Sequence, residues 1–285
     1  MTAQPPRWRT TRFALELSRP CVMGIVNVSP DSFADDVPTA DAAAALRRCE
    51  ALLREGAALL DIGGESTRPG APPLPADEEM RRLRPVLQGA LRLGVPVSVD
   101  TRRAEVMAMA LDLGVDIVND VQALQAPGAL ALLARHGQAG VCLMHMRGEP
   151  ATMSALAGYA DVVAEVRAFL AQRLQAALDA GIAAERIVLD PGYGFAKRAE
   201  HSWALLAGQV ALLDLGRPLL VGLSRKGFLG RLTGRAAAER GAASVAAALA
   251  AADRGARVLR VHDVAATVDA LAVWQRLREE AAIGG

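Results

Sequence analysis

Short apolar runs alternate eight times with longer amphipathic stretches along this chain, and few folds accept that rhythm. The runs fall at 21–27, 58–62, 96–100, 115–119, 140–144, 186–190, 218–222 and 257–261, most of them rich in Val, Ile or Leu. Near-continuous apolar runs of this length suit parallel strands covered on both faces. The longer stretches, at 39–55, 77–93, 103–112, 128–136, 158–180, 199–208, 236–253 and 263–280, follow as helices. Glycines at 56, 94, 114, 137, 181 and 255 stand between a helix and the next strand, where a C-terminal cap belongs. Eight such units predict an α/β fold, a closed (β/α)8 TIM barrel formed as a single domain. A doubly wound open sheet is the alternative. It usually carries a G-x-G-x-x-G turn after an early strand, and none is present.

Composition agrees and narrows the function classes. The 285 residues are 52% hydrophobic but only 4% aromatic, which suits a barrel packed with small and branched aliphatics. Basic and acidic residues number 32 and 31, and no basic stripe stands out, so nucleic acid is not the expected partner. Mean hydropathy is +0.22. The longest uncharged apolar stretch, Ala242 to Ala252, is shorter than the roughly 20 residues of a spanning helix. No signal peptide or membrane partner is expected. Three widely spaced cysteines, Cys21, Cys49 and Cys142, predict buried thiols in a reducing cytoplasm rather than a disulfide framework. Residues 1–20 are expected to form an N-terminal strand or hairpin at the barrel bottom, 21–280 the barrel, and 281–285 a tail.

Polar side chains gather at the C-terminal ends of the predicted strands. Those ends carry Asn27, Asp61, Asp100, Asn119 and Asp190; others lead into Met144-His145, Ser224-Arg225-Lys226 and Arg260-Val261-His262. The strand starts carry no such set. One Asp or Asn at a strand end usually caps a turn or helix. A set spread over nearly every strand end, with Arg, Lys and His converging, points to chemistry at the rim where barrels build their sites. Two loops stand out, Asn27 to Phe33 and Gly63 to Gly70. Thr67 and Arg68 in the second suit phosphate oxygens, although a plain Gly/Pro turn reads equally well without the barrel around it. His136, His201 and the Arg231, Arg235, Arg240 group read as surface residues.

These segments, taken in order, resemble dihydropteroate synthases, the folate-pathway family inhibited by sulfonamides. The resemblance runs from about residue 20 to the last helix. It rests on the two loops and on Ser98-Val99-Asp100-Thr101, Asn119-Asp120, Cys142 to Met146, Asp190 to Phe195, Ser224-Arg225-Lys226 and Arg260 to Asp263. It implies condensation of 6-hydroxymethyl-7,8-dihydropterin diphosphate with 4-aminobenzoate, with Mg2+ on the departing diphosphate, in a cytoplasmic homodimer. It implies a pterin site of Asp100, Asn119, Met144, Asp190, Phe195, Lys226 and Arg260. Diphosphate would fall to Asn27, Thr67, Arg68, Arg260 and His262, with the metal on Asn27. The 4-aminobenzoate site would take Phe33, Thr67, Pro69, Lys226 and Gly227. Lys226, Arg260 and His262 would serve catalysis.

The chain departs from the family in two places. Ala34 to Pro38 stands where a Ser/Asp-Gly-Gly stretch is common, and Gly227 where many members have Ser. Both bear on the second substrate, so the resemblance also admits a non-catalytic pterin-binding paralogue. A pterin-dependent methyl carrier would share the acids, but it needs no diphosphate grip such as Thr67-Arg68 and Arg260-Val261-His262.

Overall fold

The computed structural model describes residues 6–28, 42–66, 70 and 73–283. An antiparallel hairpin, β1 (Arg7–Arg9) and β2 (Ala14–Glu16), comes first. Eight parallel strands follow: β3 (Cys21–Asn27), β4 (Leu59–Gly63), β5 (Val97–Asp100), β6 (Ile117–Asp120), β7 (Gly140–Met144), β8 (Ile187–Asp190), β9 (Leu219–Val221) and β10 (Ala256–Val261). They close into a barrel in the order β10-β3-β4-β5-β6-β7-β8-β9. The expected (β/α)8 barrel is the observed one.

The helices between them are α1 (Ala42–Arg54), α2 (Ala76–Ala90), α3 (Ala104–Leu113), α4 (Ala129–His136), α5 (Val162–Asp179), α6 (Ala199–Ala207), α7 (Gly227–Thr233), α8 (Gly241–Asp253) and α9 (Val264–Ile283). Several helical spans differ from expectation at their ends: 77–93 finishes as a 3-10 turn, Leu91–Leu93, and 158–180 is helix only from Val162 to Asp179. The span 236–253 begins as a 3-10 turn, Ala237–Glu239, and becomes helix only at Gly241. The link after β9 instead holds α7, whose Gly227 and Gly230 weaken the helical signal of so short a segment. Gly230 has a packing reason, since a β-carbon there would lie 2.2 Å from the Arg240 guanidinium. The last helix runs to Ile283, into the segment 281–285 expected as a tail.

Strand geometry places the site. Side chains alternate faces every residue, so residues two apart share the barrel interior. Trp8, Leu17, Met23, Leu59, Ile117, Val188, Leu220 and Val258 form one buried cluster inside the barrel. Two residues further along four of these strands stand Asp61, Asn119, Asp190 and Arg260. The intervening Leu60, Val118, Leu189 and Leu259 belong to the larger core between strands and helices. The inner wall therefore changes from apolar to polar in one step of the pleat.

The hairpin closes the other end. Trp8 is fully buried and donates its Nε1–H to the carbonyl of Arg186, just before β8, at 3.0 Å. Arg12 meets buried Asp116, just before β6, at 2.6 Å. Cys49 and Cys142 are buried and Cys21 half-buried, all as free thiols. Burial pushes Cys21 and Cys49 up to about 12, so neither is a ready nucleophile.

Candidate active site

Asp61 organises the polar layer. Its Oδ2 accepts from Arg260 Nε at 2.5 Å and from Asn119 Nδ2 at 3.1 Å. Arg260 Nη2 also donates to Asp100 Oδ2 at 2.6 Å. The parallel register sets Gly63 beside Asp100 and Asp100 beside Asn119, which brings the groups together. Burial pushes Asp100 upward, Arg260 pulls it down, and the negative charge of Asp61 adds to the rise. Asp61 Oδ1, Asp100 Oδ1, Asn119 Oδ1 and Ser98 Oγ are buried without a hydrogen-bond partner among the described residues. Buried polar atoms are rarely left unpaired, and each costs about 1–3 kcal/mol. A ligand rich in N–H donors would recover that cost.

Asp190 and Lys226 form the neighbouring part. Asp190, 5% exposed, ends β8, and its Oδ1 accepts from Gly192 N at 2.7 Å. Burial raises its pKa to about 6, against the pull of that N–H, Lys226 and Arg260. Gly192 must be glycine: its φ is +67°, and a β-carbon would lie 2.0 Å from the His145 carbonyl oxygen. Lys226 Nζ lies 4.1 Å from the centre of the Phe195 ring. Burial lowers Lys226 to about 8, with Asp190 opposing. Buried Met144 packs with Met146 and Met153, and Phe195 lies against that cluster.

A cavity of about 860 Å3 opens above these groups, lined by Asn27, Asp100, Phe195, Lys226, Gly227, Arg260 and His262 among others. Asn119, Met144 and Asp190 are almost wholly buried and reach that lining through their neighbours. Asn119 shares the Asp61 carboxylate with Arg260, and Met144 pairs with Asp190 in the sheet. His262 is held from behind by Ser224, whose Oγ is 3.1 Å from Nδ1. Arg225 pairs with Asp263 at 2.7 Å. A second cavity, about 930 Å3, lies among the loops after β5, β6 and β7. Its Arg102, Arg103 and Arg147 are engaged by Glu65, Glu79 and Glu165, and it holds none of the polar layer.

The structure thus gathers Asn27, Asp100, Phe195, Lys226, Gly227, Arg260 and His262 around one hollow, whereas Asn119, Met144 and Asp190 are buried and form no part of its lining. Phe33, Thr67, Arg68 and Pro69, together with the altered stretch Ala34 to Pro38, lie outside the described residues. Asp61 was visible in the sequence only as one of the strand-end polar residues; its place between Arg260 and Asn119 is a property of the closed barrel. Nothing in the sequence marks out Lys197, whose partners His145 and Gly192 are brought to it by the fold. His201 is not a surface residue: it is 9% exposed and stacks edge-on against Tyr159 at 5.0 Å. Among the described residues no group of three His, Cys, Asp or Glu side chains could hold a metal ion. No described helix is long and apolar enough to cross a membrane.

Residues 23–262 match the model of a family described as pterin binding enzyme. The chain belongs to that family. Every residue assigned to the site, from Asn27 to His262, falls within the matched span. A dihydropteroate synthase of Neisseria meningitidis serogroup B is 52% identical over 95% of this chain and 97% of its own length. The Xanthomonas albilineans dihydropteroate synthase solved with 4-aminobenzoic acid superposes with a TM-score of 0.89 at 50% identity, over 96% of this chain and 98% of that one. The Burkholderia cenocepacia dihydropteroate synthase solved with 7,8-dihydropteroate superposes at 0.87 and 48% identity, over 97% of this chain and 98% of that one. The pterin-binding family therefore accounts for the barrel.

Proposed function

We propose that this chain is a dihydropteroate synthase. It joins the methylene carbon of 6-hydroxymethyl-7,8-dihydropterin diphosphate to the amine of 4-aminobenzoate and releases diphosphate and 7,8-dihydropteroate. The observation that carries the reading is the set of buried, unpartnered acceptors on Asp61, Asp100 and Asn119 beside Asp190. A pterin offers an amino group and an adjacent ring N–H on one edge, and a carboxylate accepts both at once. Asp190 takes that edge. Asp100 and Asn119 meet the remaining ring heteroatoms. An anionic ring would be repelled there; a neutral, donor-rich one is not.

The cationic groups stand above the acids. Arg260 donates to Asp61 and Asp100, which fixes its plane, leaves a face of that plane to stack on the pterin and frees its other N–H groups for the diphosphate. His262, Asn27, Thr67 and Arg68 complete the grip on the leaving group. Met144 and Phe195 pack the apolar parts of the ring. Lys226 lies between the pterin and the second substrate, whose ring Phe33 and Pro69 flank and whose carboxylate meets Thr67 and the Gly227 N–H.

The bond from the methylene carbon to the diphosphate oxygen breaks, and the bonding pair leaves with the diphosphate. The dihydropterin ring delocalises the positive charge left on carbon. The amine lone pair of 4-aminobenzoate then forms the new C–N bond, and a proton leaves the nitrogen. No side-chain nucleophile is needed. The chain's work is to bind the leaving charge, hold the two reactants in line and exclude water.

A divalent metal, Mg2+ in this reading, fits a site with a single amide oxygen. Mg2+ favours oxygen ligands, keeps several waters and takes others from substrate phosphates. Asn27 at the rim supplies the protein oxygen, and the ion when bound neutralises charge on the departing diphosphate. The reading includes a cytoplasmic homodimer, which sedimentation of the purified protein would check. The deciding experiment is a two-substrate assay of diphosphate release, expected to require both 4-aminobenzoate and magnesium. No release at saturating substrate would overturn the assignment, and tight pterin binding without turnover would mark a non-catalytic binder instead.

A further inference from the structure

Lys197 is a buried amine for which the proposed reaction has no use; burial pushes its pKa well down, with Asp190 opposing. It stands just before α6 and is 8% exposed. Its Nζ lies 2.8 Å from His145 Nδ1, 2.9 Å from the Gly192 carbonyl oxygen and 3.1 Å from that of Phe195. The His145 carbonyl oxygen lies further off, at 3.5 Å, so the amine is ringed by one imidazole nitrogen and backbone carbonyls. The His145 imidazole is pushed down to about 2, by burial first and then by Lys197, so it is neutral and its Nδ1 lone pair can accept.

The loop after β8 is wound around this amine. Gly192, Gly194 and Ala196 have φ of +67°, +78° and +47°, with ordinary residues between them. Ala196 holds a left-handed conformation that L-residues rarely adopt, so something must hold the loop in that shape. The same loop touches both halves of the site. Gly192 N donates to Asp190, and the Phe195 ring lies under the Lys226 ammonium.

We propose that Lys197 is a positioning residue for ring recognition: beside His145, which follows β7, it fixes Gly192 to Ala196 so that Asp190 keeps the orientation the ring requires. The inference rests on the proposed reading in taking that ring to be the pterin. It differs from a plain stability role in that its effect falls on one substrate.

The test compares wild type with Lys197→Met, His145→Leu and His145→Asn, the last placing an amide oxygen near the position of Nδ1. Pterin diphosphate binding is measured by calorimetry, and turnover with each substrate varied in turn. Lys197→Met and His145→Leu are expected to weaken pterin binding and raise its KM about tenfold or more, with kcat and the KM for 4-aminobenzoate within about threefold. His145→Asn should recover most of the affinity. In wild type, 15N NMR should find His145 Nδ1 without a proton. Unchanged pterin affinity in Lys197→Met, equal damage in both His145 variants, or a proton on Nδ1 would each overturn the proposal. If Lys197→Met does not fold, the two His145 variants decide. Wild type that binds no pterin diphosphate would overturn the functional reading itself, and this inference with it.

Discussion

Arg260 Nε and Asp61 Oδ2 meet at 2.5 Å across 199 residues of sequence. Asp61 is fully buried, so removing it leaves a guanidinium and the Asn119 amide short of an acceptor. Breaking one side of a buried ion pair costs about 3–5 kcal/mol. Asp61→Ala is therefore expected to lose roughly that much stability in urea unfolding. Asp61→Asn keeps the volume but removes the charge, and that charge helps raise Asp100. Asp100 should then titrate at lower pH, which carboxyl 13C NMR would read; an unmoved midpoint would refute the coupling.

Asp190→Asn replaces one acceptor oxygen with a donor that faces the donor edge of the ring. The mismatch leaves a buried group unpaired, for about 1–3 kcal/mol or more of lost pterin affinity. Calorimetry would measure it, and near-normal affinity would remove Asp190 from the site.

Two shifted groups predict the pH dependence. Asp190, raised to about 6, loses its charge and an acceptor below that pH; Lys226, lowered to about 8, loses its charge above. Pterin affinity and kcat/KM should be highest between about 6 and 8 and fall on both sides. Folding runs the other way in the acid window. A carboxylate raised from about 3.9 stabilises the fold fully below that value and loses this contribution as pH rises through about 6. Binding should thus improve from pH 5 to 7 while the Asp190 share of stability declines, and parallel curves would contradict the assignment.

Gly192→Ala forces a β-carbon to within 2.0 Å of the His145 carbonyl oxygen at a φ of +67°. The conformation alone costs about 1–2 kcal/mol, and relieving the contact moves the N–H that bonds Asp190. A clear fall in Tm together with weakened pterin binding is expected. A variant of wild-type stability and affinity would show the loop to be more compliant than its geometry indicates.

Trp8→Phe acts at the opposite end of the barrel. It leaves the Arg186 carbonyl without its Nε1–H donor and shrinks a fully buried side chain. A loss of about 1–3 kcal/mol is expected, with pterin affinity unchanged in the folded protein. A matching loss of affinity would show that the hairpin supports the mouth as well as the base.

Much of this architecture was legible in the sequence, because burial on both faces writes barrel strands as plain apolar runs. Their polar last residues then identify the rim. The link after β9 was not legible, since the helical period of Gly227–Thr233 is too short and too glycine-rich to stand out. Asp61 was seen as a strand end but not as a hub, because a hub is defined by which strands lie opposite when the sheet closes. Lys197 follows a recognisable Asp190 to Phe195 segment, yet its meaning depends on His145, 52 residues earlier. His201 lies early in a helix, a position that says nothing about the Tyr159 ring packed against it.

Arg260 straps β10 to Asp61 on β4 and Asp100 on β5, and Asp61 carries the link on to Asn119 on β6. Reading the ligand and holding the cylinder shut are therefore tasks of the same atoms. A substitution that retunes recognition at this depth also loosens the scaffold, so evolutionary drift toward other ligands, or away from an inhibitor, has little room there. Tolerated change is left to the loops around the entrance, where an altered contact releases no strand from its neighbours.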